Sequence, residues 1–188
     1  YKPWDFHDHK NMRFDELALY TLLHAGIDPA HPPFEKLLSV VLTAELERTY
    51  CVSLQAMLLS ELAPAKYQGR IAQCGQFLVD NQCDNGQWNY GDPTPLPKNG
   101  DVATGGMKSD RSKPKRILQI QRQRRGAERG DNSNTQIAIL GLRACIESNV
   151  ILPRRTLETA KRWFETTQNR DGGWPYVSNT ASYGSMSA

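Results

Sequence analysis

Cysteine is scarce in this sequence, and long apolar runs are missing from it. Only 4 of the 188 residues are cysteine, which excludes a small scaffold held together by disulfide bonds. No apolar run approaches the roughly 20 residues that a helix needs to cross a bilayer. Charge is nearly balanced, with 23 basic and 20 acidic residues, so the composition as a whole requires neither a nucleic acid nor a membrane as partner.

Helical periodicity runs through the long segments, which are of two kinds. Three segments are apolar on nearly every side and predict inner helices that are covered all round: residues 15–25, 50–62 and 135–146. Between them lie one-sided stripes, such as Tyr67, Ile71, Cys74 and Leu78, with Lys66, Arg70, Gln73 and Gln76 in between. Such stripes predict outer helices with one face in solvent.

Proline stands at the start of each predicted outer helix. Pro33, Pro64 and Pro153 lie where a missing backbone N–H costs nothing. No stretch alternates convincingly with a period of two, so no strand is predicted. We therefore expect an all-α protein built from αα-hairpins, arranged either as an open solenoid or as a closed ring.

Two nine-residue segments repeat one another at an offset of 86, each directly after an outer helix. They agree at four positions: Gln82, Gly86, Trp88 and Tyr90 in the first copy, and Gln168, Gly172, Trp174 and Tyr176 in the second. Trp4-Asp5-Phe6 keeps only the end of the motif. Glycine suits a chain reversal, tryptophan covers a neighbour and glutamine can bond a helix end. We interpret the motif as a structural clamp between successive hairpins, with direct ligand binding as the alternative.

The spacing of the motif sets the number of repeats. Trp4 precedes the middle of the first inner helix, at Ala18, by 14 residues, and the same step from Trp174 reaches Ala188. The last residues should therefore begin a fourth inner helix. Because the sequence also opens with Tyr1 instead of Met, residues 1–188 read as a single partial domain of about three hairpins.

A basic insertion interrupts the second repeat over about 36 residues, roughly residues 92–129. Its last part, which begins with Lys108 and ends with Arg129, holds nine Lys or Arg against Asp110 and Glu128, a net charge of +7. One interpretation is a poorly packed loop with solvated charges. Another is binding to an anionic membrane surface, a pyrophosphate or an acidic protein. The positions of Ile117, Leu118 and Ile120 suggest some helical amphipathicity, and the lack of interleaved aromatics makes nucleic acid an unlikely partner.

The second motif, residues 168–176, resembles the QW motif of the squalene cyclase and protein prenyltransferase superfamily, and the first motif looks like another copy. The resemblance is closest to bacterial prenyltransferase/squalene-oxidase repeat proteins. It implies an α/α toroid, an α/α barrel with parallel inner helices around an apolar central cavity. The ligand it implies is elongated and apolar, of the isoprenoid or triterpenoid kind, and Tyr20, Tyr50, Met57, Asp131 and Asn134 are the candidate contacts.

Cyclases of this superfamily protonate an alkene with an Asp-x-Asp-Asp-Thr motif. The nearest match here is Asp131-Asn132-Ser133-Asn134-Thr135, at the start of the third inner helix. Ser133 occupies the position of the proton donor, and a serine hydroxyl cannot protonate an alkene. Residues of these types also satisfy free N–H groups at a helix start, so we favour a helix cap over a polar ligand contact or an acid catalyst.

The zinc chemistry of the prenyltransferases finds little support in the sequence. Cys51, Cys74 and Cys145 fall on apolar faces, whereas Cys83 lies in a turn and is expected to be partly exposed. His7-Asp8-His9 is the only metal-like cluster, and a solvated turn is the preferred interpretation. We therefore expect no metal and no cofactor, and a cyclase- or isomerase-like activity, not a zinc prenyltransferase, if the protein is catalytic at all.

The sequence thus predicts a terpenoid-cyclase-like repeat segment that forms part of an apolar cavity and lacks a catalytic acid of its own. The alternative is a non-catalytic helical scaffold that binds a protein or peptide. A polysaccharide-active enzyme ranks last, because Asp15 and Glu16 have no opposing carboxylate that can be named. A cytoplasmic or peripheral membrane location is most compatible with this composition.

Overall fold

Helices form nearly all the regular structure in the computed structural model, which describes residues 14–94, 109–177 and 180–187. In chain order they are α1 (Asp15–His24), α2 (Pro32–Thr43), α3 (Thr49–Leu62), α4 (Pro64–Asp80), α5 (Asn132–Glu147), α6 (Arg154–Thr167) and α7 (Gly184–Ser187). Two short strands, β1 (Leu118–Gln119) and β2 (Val150–Ile151), pair in parallel. The prediction of an all-α protein is confirmed, and the strand pair is a minor addition to it.

The helix starts follow the proline positions. Pro32 and Pro33 occupy the first two positions of α2, and Pro64 is the first residue of α4. Pro153 caps α6 from the preceding position. A proline in the first turn loses no helical hydrogen bond, because its N–H would have no partner there anyway. We call the consecutive helix pairs α1–α2, α3–α4 and α5–α6 hairpins after their order in the chain; of these, α1 packs against α2 and α3 against α4. The second helix of each pair, which we call the outer helix, therefore begins where proline is tolerated.

Helix α3 is the centre of the described structure and packs against α1, α4 and α5. Contacts at matching helix ends indicate that α1, α3 and α5 run side by side in the same direction. Tyr20, in the second half of α1, bonds Glu61 near the end of α3, and Tyr50, near the start of α3, bonds Ser133 near the start of α5. The apolar core lies mainly between α3, α4 and α5, where Leu58, Leu59 and Leu62 are fully buried.

The inner helices are not covered on every side, contrary to the sequence prediction. Leu17 and Leu22 of α1 are exposed, as are Tyr50 of α3 and Leu140 of α5. Even α3, which has helices on three sides, leaves one line of side chains accessible. The prediction from the apolar content of the inner helices therefore overestimated how much of their surface is buried. None of the helices among the described residues is both long and apolar enough to cross a bilayer.

Arg70 lies inside the protein, although the stripe on α4 predicted that it would face solvent. Its guanidinium donates to the Ala44 carbonyl at 2.7 Å and to Gln55 Oε1 at 2.6 Å. A weaker contact of 3.5 Å reaches the Val41 carbonyl. The last carbonyls of a helix lack helical partners and carry the negative end of its dipole. Arg70 is buried because it satisfies the C-terminal end of α2 in the neighbouring hairpin.

The basic insertion is anchored where the structure describes it, so neither a poorly packed loop nor an amphipathic helix fits residues 109–129. The segment is extended along α4, whose Gln68 and Gln76 amides donate to the carbonyls of Arg116 and Gln121 at 2.8 and 2.7 Å. Ile120 is buried in the core, and Leu118 packs against it. The polar face of α4 therefore binds a second chain segment in addition to solvent.

Candidate functional site

The candidate site is a line of accessible side chains on the inner helices, which we call the inner stripe. On α3 it consists of Tyr50, Leu54, Met57 and Glu61, spaced by four, three and four residues, so that they share one helix face. Leu17 and Tyr20 continue the inner stripe on α1, and Ser133, Ile137 and Leu140 continue it on α5. The middle of the inner stripe is apolar, and its polar groups lie towards the ends.

Tyr20 and Glu61 form the polar end at the C-terminal side of α1 and α3. The Tyr20 hydroxyl donates to Glu61 Oε1 at 2.9 Å, and His24 Nε2 lies 3.3 Å from Glu61 Oε2. Partial burial, followed by the hydrogen bond to the Glu61 carboxylate, raises the pKa of Tyr20 to about 12. Tyr20 therefore stays a neutral donor at any physiological pH, and it fixes the Glu61 carboxylate at this end of the inner stripe.

Tyr50 and Ser133 form the opposite end of the inner stripe. The Tyr50 hydroxyl and Ser133 Oγ are 2.5 Å apart, so one donates to the other across the gap between α3 and α5. Tyr176 is 41% exposed nearby, and the negative charge of Asp131 is the main cause that raises the pKa of its phenol. The structure thus brings Tyr50, Ser133, Asp131 and Tyr176 into one neighbourhood, with Met57 farther along the inner stripe.

Asp131 caps α5 with both of its carboxylate oxygens. Oδ1 accepts from the backbone N–H of Asn134, and Oδ2 accepts from the Asn134 side-chain amide, each at 2.8 Å. Asn134 is only 2% exposed, so its side chain is turned into the protein and away from the inner stripe. This arrangement stabilises the positive end of a helix dipole. It offers no carboxylic acid poised to protonate an alkene.

The two repeats of the tryptophan motif adopt the same conformation. We call residues 82–90 the first clamp turn and residues 168–176 the second. The indole N–H of each tryptophan donates to the carbonyl ten residues earlier, Leu78 at 2.7 Å in the first and Phe164 at 2.9 Å in the second. The glutamine amide of each donates to the glycine carbonyl four residues later, at 3.3 and 2.7 Å. Gly86 and Gly172 both have positive φ, at 96° and 83°.

Further hydrogen bonds within the clamp turns also match at the offset of 86. The N–H of Cys83 donates to the Gln87 carbonyl, and the N–H of Asn169 donates to the Gly173 carbonyl, each at 2.8 Å. Asn85 Oδ1 accepts from the Gln87 N–H at 3.1 Å, and Asp171 Oδ1 accepts from the Gly173 N–H at 3.0 Å. Asn and Asp both form this side-chain turn readily.

Each clamp turn links its own hairpin to the next one. The tyrosine carbonyl accepts from the first N–H of its own inner helix, Thr49 at 2.9 Å for Tyr90 and Asn132 at 3.0 Å for Tyr176. The tryptophan N–H donates to a hydroxyl of the following inner helix, Thr135 Oγ1 at 3.0 Å or Ser187 Oγ at 2.8 Å. Ser187 therefore stands in α7 where Thr135 stands in α5, and α7 occupies the place of the predicted fourth inner helix.

The insertion returns to the fold over the first clamp turn. Arg122 Nη2 donates to the Gln82 carbonyl at 2.6 Å, and Arg124 Nη2 donates to Asn81 Oδ1 at 3.1 Å. Arg125 pairs with Asp84.

The matching hydrogen bonds of the two tryptophans also measure the length of the insertion. The Trp88 carbonyl accepts from the N–H of Asp131, 43 residues later, whereas the Trp174 carbonyl accepts from the N–H of Tyr183, 9 residues later. The insertion therefore adds 34 residues, close to the 36 expected.

Asn132 and Trp163 are residues of this neighbourhood that the sequence interpretation missed. Asn132 Oδ1 accepts from Trp163 Nε1 at 2.7 Å and from Gln87 Nε2 at 3.1 Å, and its amide donates to the Pro175 carbonyl at 2.7 Å. One buried amide thus joins both clamp turns to α6. The position of Asn132 next to the cap Asp131 was the available signal, but asparagine there also fits an ordinary helix start.

The enclosed space at the start of α3 is small. A pocket of about 10 Å³ is lined by Glu16, Glu45, Glu47 and Gln55 together with Leu46, Arg48, Cys51 and Val52, which is room for about one water molecule. It lies beside α3 and does not include Tyr50, Leu54 or Met57 of the inner stripe. Leu17, Tyr50 and Leu140 of the inner stripe are 45%, 39% and 42% exposed, and Leu54 and Met57 between them are half-buried.

Three of the four thiols are buried, and the described ranges hold no candidate metal cluster. No group of three His, Cys, Asp or Glu within residues 14–94, 109–177 and 180–187 could hold a metal ion, and His7-Asp8-His9 lies outside them. Cys83 is buried, contrary to expectation, because the clamp turn folds over it; burial raises its pKa to about 11. Burial also raises the pKa of Cys74 to about 12 and that of Cys145 well above its ordinary value.

Comparison with known proteins finds no relative of this chain. The chain matches no protein-family model, no curated protein and no solved structure. The function of this chain must therefore be inferred from the geometry of the inner stripe and the clamp turns.

Proposed function

We propose that this chain is a terpenoid-cyclase-like repeat segment whose inner stripe forms part of the binding surface for an elongated apolar ligand of the isoprenoid or triterpenoid kind. In this proposal the three hairpins are an arc of an α/α toroid, and the inner stripe faces its centre. One observation carries the proposal: Tyr50, Leu54 and Met57 remain accessible along one line of α3, the helix with most neighbours.

The distribution of polar groups supports a long, mostly apolar ligand. From Tyr50 to Glu61 the inner stripe spans 11 residues of α3, or about 16 Å at the helical rise. Hydroxyl groups lie near one end and the Glu61 carboxylate lies near the other, with Leu54 and Met57 between them. Pockets for apolar ligands commonly combine an apolar wall with few polar groups that fix the orientation.

The proposal assigns binding to this segment and no acid catalysis. Ser133 and Asn134 occupy the positions where a cyclase would need carboxylic acids, and both oxygens of Asp131 already accept hydrogen bonds in the cap. If a reaction occurs on the bound ligand, we expect it to be of the cyclase or isomerase kind with the acid supplied by other residues. Zinc-dependent prenyl transfer is not part of the proposal.

A scaffold that binds a protein or peptide is the second candidate, and the openness of the inner stripe favours it. A shallow apolar surface suits the apolar face of a partner helix as well as it suits a lipid. Because accessible apolar side chains such as Leu54 and Met57 could contact either kind of partner, the two candidates must be separated by direct binding measurements.

Both candidates are compatible with a protein that works in the cytoplasm or at the periphery of a membrane. An isoprenoid ligand favours the membrane periphery, because such ligands partition into lipid. This placement is part of the proposal and would follow from the identity of the ligand.

Photocrosslinking tests the proposal on the chain. A geranylgeraniol analogue with a photoreactive diazirine should label peptides of α1, α3 and α5 saturably, and unlabelled geranylgeraniol should compete. Replacing Leu54 and Met57 together by glutamine should weaken binding by roughly tenfold, because each polar amide disfavours apolar contact. The control replaces Val40 and Leu157, which are 40% and 39% exposed on the outer helices α2 and α6, by glutamine and should leave binding unchanged.

Three results would contradict the ligand proposal. Labelling that does not saturate, labelling spread evenly over the outer helices, or equal losses in both double variants would each do so. Saturable binding of an amphipathic helical peptide, without binding of the isoprenoid, would favour the scaffold instead. Circular dichroism of each variant checks that the helices are retained.

A further inference from the structure

The pair of short strands presents an apolar face to solvent at the C-terminal side of the inner helices. Leu118 pairs with Val150, and both contribute to the core side of the pair. The next pair, Gln119 with Ile151, is exposed. Ile117 precedes Gln119 by two residues and therefore lies on the same side. Ile117 and Ile151 are 68% and 49% exposed, respectively.

The cations beside this face have a different role from the cations later in the insertion. Arg122, Arg124 and Arg125 are engaged with acceptors around the first clamp turn. Lys113, Lys115 and Arg116 are exposed, and their side chains form no ion pair with any described residue. The cations of the insertion therefore fall into two groups. Arg122, Arg124 and Arg125 stabilise the fold, whereas Lys113, Lys115 and Arg116 are available to bind a partner.

The available cations are held in place by their backbone. The Asp110 N–H donates to the Leu62 carbonyl at the end of α3, at 3.0 Å. The Pro114 carbonyl accepts from Asn149 Nδ2 at 2.6 Å, and the Arg116 carbonyl accepts from Gln68 Nε2 at 2.8 Å. These contacts keep Lys113, Lys115 and Arg116 on a fixed surface, so little ordering is required when they bind.

Nearby acidic side chains on the adjoining helices do not neutralise this surface. Glu147 pairs with Arg143, and Glu158 pairs with Arg154, each four residues away on the same helix. Asp110 is the one acidic residue in the described stretch 109–116, which also holds four basic residues, and its carboxylate accepts from the Ser112 N–H at 2.9 Å. The local charge is therefore positive, although the chain outside residues 108–129 carries a net negative charge.

We propose that Lys113, Lys115 and Arg116 bind the head groups of an anionic membrane, with Ile117 and Ile151 reaching into the boundary between head groups and acyl chains. The combination of unpaired cations and exposed isoleucines carries this assignment. Cations attract anionic lipids, and adjacent apolar side chains gain further free energy where the acyl region begins. An acidic peptide would satisfy the charges but would leave both isoleucines without a reason for their exposure.

Vesicle co-sedimentation with the full chain tests this proposal. We expect binding to phosphatidylcholine vesicles that contain phosphatidylserine, little binding to phosphatidylcholine alone, and weakening as salt screens the charges. Replacing Lys113, Lys115 and Arg116 together by glutamine should reduce the affinity by roughly a hundredfold, from the usual contribution of a cation near an anionic membrane. The matched control replaces Lys36, Arg162 and Arg170, three exposed cations elsewhere, and should lose much less.

The isoleucines supply a second, independent readout. Ile117→Ser should weaken vesicle binding by roughly tenfold without changing the net charge, whereas Val40→Ser on α2 should not. Equal binding to both vesicle types, or equal losses in the two charge variants, would overturn the proposal. Binding to a poly-glutamate peptide with no binding to anionic vesicles would overturn it in favour of an acidic protein partner. No arm of this experiment uses an isoprenoid, so its outcome is separate from that of the ligand proposal.

Discussion

The two clamp turns of this protein have matching hydrogen bonds but different surroundings. Trp88 is fully buried, whereas Trp174 is half-buried and packs edge-on against Phe164. Each indole N–H nevertheless donates to the carbonyl ten residues earlier. The same local conformation thus forms in a core and near a surface.

This comparison shows that the motif determines the conformation of the turn, whereas the surrounding residues determine how deeply the turn is buried. The turn does not require full burial of its tryptophan, since it forms at Trp174 with less cover. The free energy contributed by the turn depends on burial, because burying apolar surface contributes about 25 cal/mol per Å². Matched substitutions in the two clamp turns measure how much of the free energy of unfolding depends on burial.

Removing the tryptophan should give the largest difference between the clamp turns. Trp88→Ala should lower the free energy of unfolding by about 4 kcal/mol, because it leaves a large cavity in a fully buried site. Trp174→Ala should cost about 1–2 kcal/mol, because part of its ring is already in water. Urea denaturation of both variants measures these values. Equal losses would mean that the hydrogen bonds, and not burial, dominate the contribution of the motif.

Adding one methyl group to the glycine that both clamp turns share should give a smaller difference. A Cβ at Gly86 would meet the Thr159 carbonyl oxygen at 2.4 Å, whereas a Cβ at Gly172 would meet nothing within 4 Å. Both residues have positive φ, so both substitutions to alanine cost about 1 kcal/mol of backbone strain. Gly86→Ala should cost about 2 kcal/mol more, because α6 must move away.

The comparison of Gly86→Ala with Gly172→Ala contains its own control, since the backbone strain is common to both. Thermal or urea unfolding gives the difference directly. If Gly172→Ala were the more harmful, the close approach of the first clamp turn to α6 would not be a determinant of stability.

The hairpins could be predicted from the sequence because their signals are local. The spacing of Tyr67, Ile71, Cys74 and Leu78 defines one face of a helix, and Pro64 marks its start. The clamp turns were detectable for the same reason, as their glycine and tryptophan repeat at one offset. An all-α fold and the limits of its helices follow from such patterns.

The path of the insertion could not be predicted, because distant residues determine it. Gln68, Gln76 and Asp80 on α4 supply the partners for its backbone, and nothing in residues 109–129 indicates these contacts. The burial of Arg70 has a similar origin, since its acceptors belong to another hairpin. In the candidate site, the resemblance named Tyr50 as a candidate contact, but its hydrogen bond to Ser133 depends on how α3 packs against α5. The turning of Asn134 into the protein depends on the cap geometry.

The smallest effect concerns the side-chain turn that Asn85 forms in one clamp turn and Asp171 forms in the other. Hydrogen bonds from the Gly173 N–H and the Ser182 hydroxyl lower the pKa of Asp171 below its ordinary value of 3.8. A carboxyl with a lowered pKa in the folded state adds stability above its unfolded pKa, and this stability is lost as the pH falls through the folded pKa. The second clamp turn should therefore loosen below about pH 4, whereas the Asn85 side chain, which forms the matching side-chain turn, does not titrate.

Asp171→Asn should remove this difference, because the asparagine oxygen accepts the same hydrogen bond from Gly173 without titrating. Hydrogen-exchange protection of the Trp174 indole N–H, followed by NMR from about pH 6 to about pH 3, reads the second clamp turn specifically. In the native chain this protection should fall on acidification relative to that of the Trp88 indole, and in the variant the two should change in parallel. Acidification also affects Asp84, which lies within the first clamp turn and whose pKa is lowered by its hydrogen bond to Arg125. The native-minus-variant difference at Trp174 is therefore the decisive quantity. A difference that persists unchanged in Asp171→Asn would assign the acid sensitivity to another carboxylate.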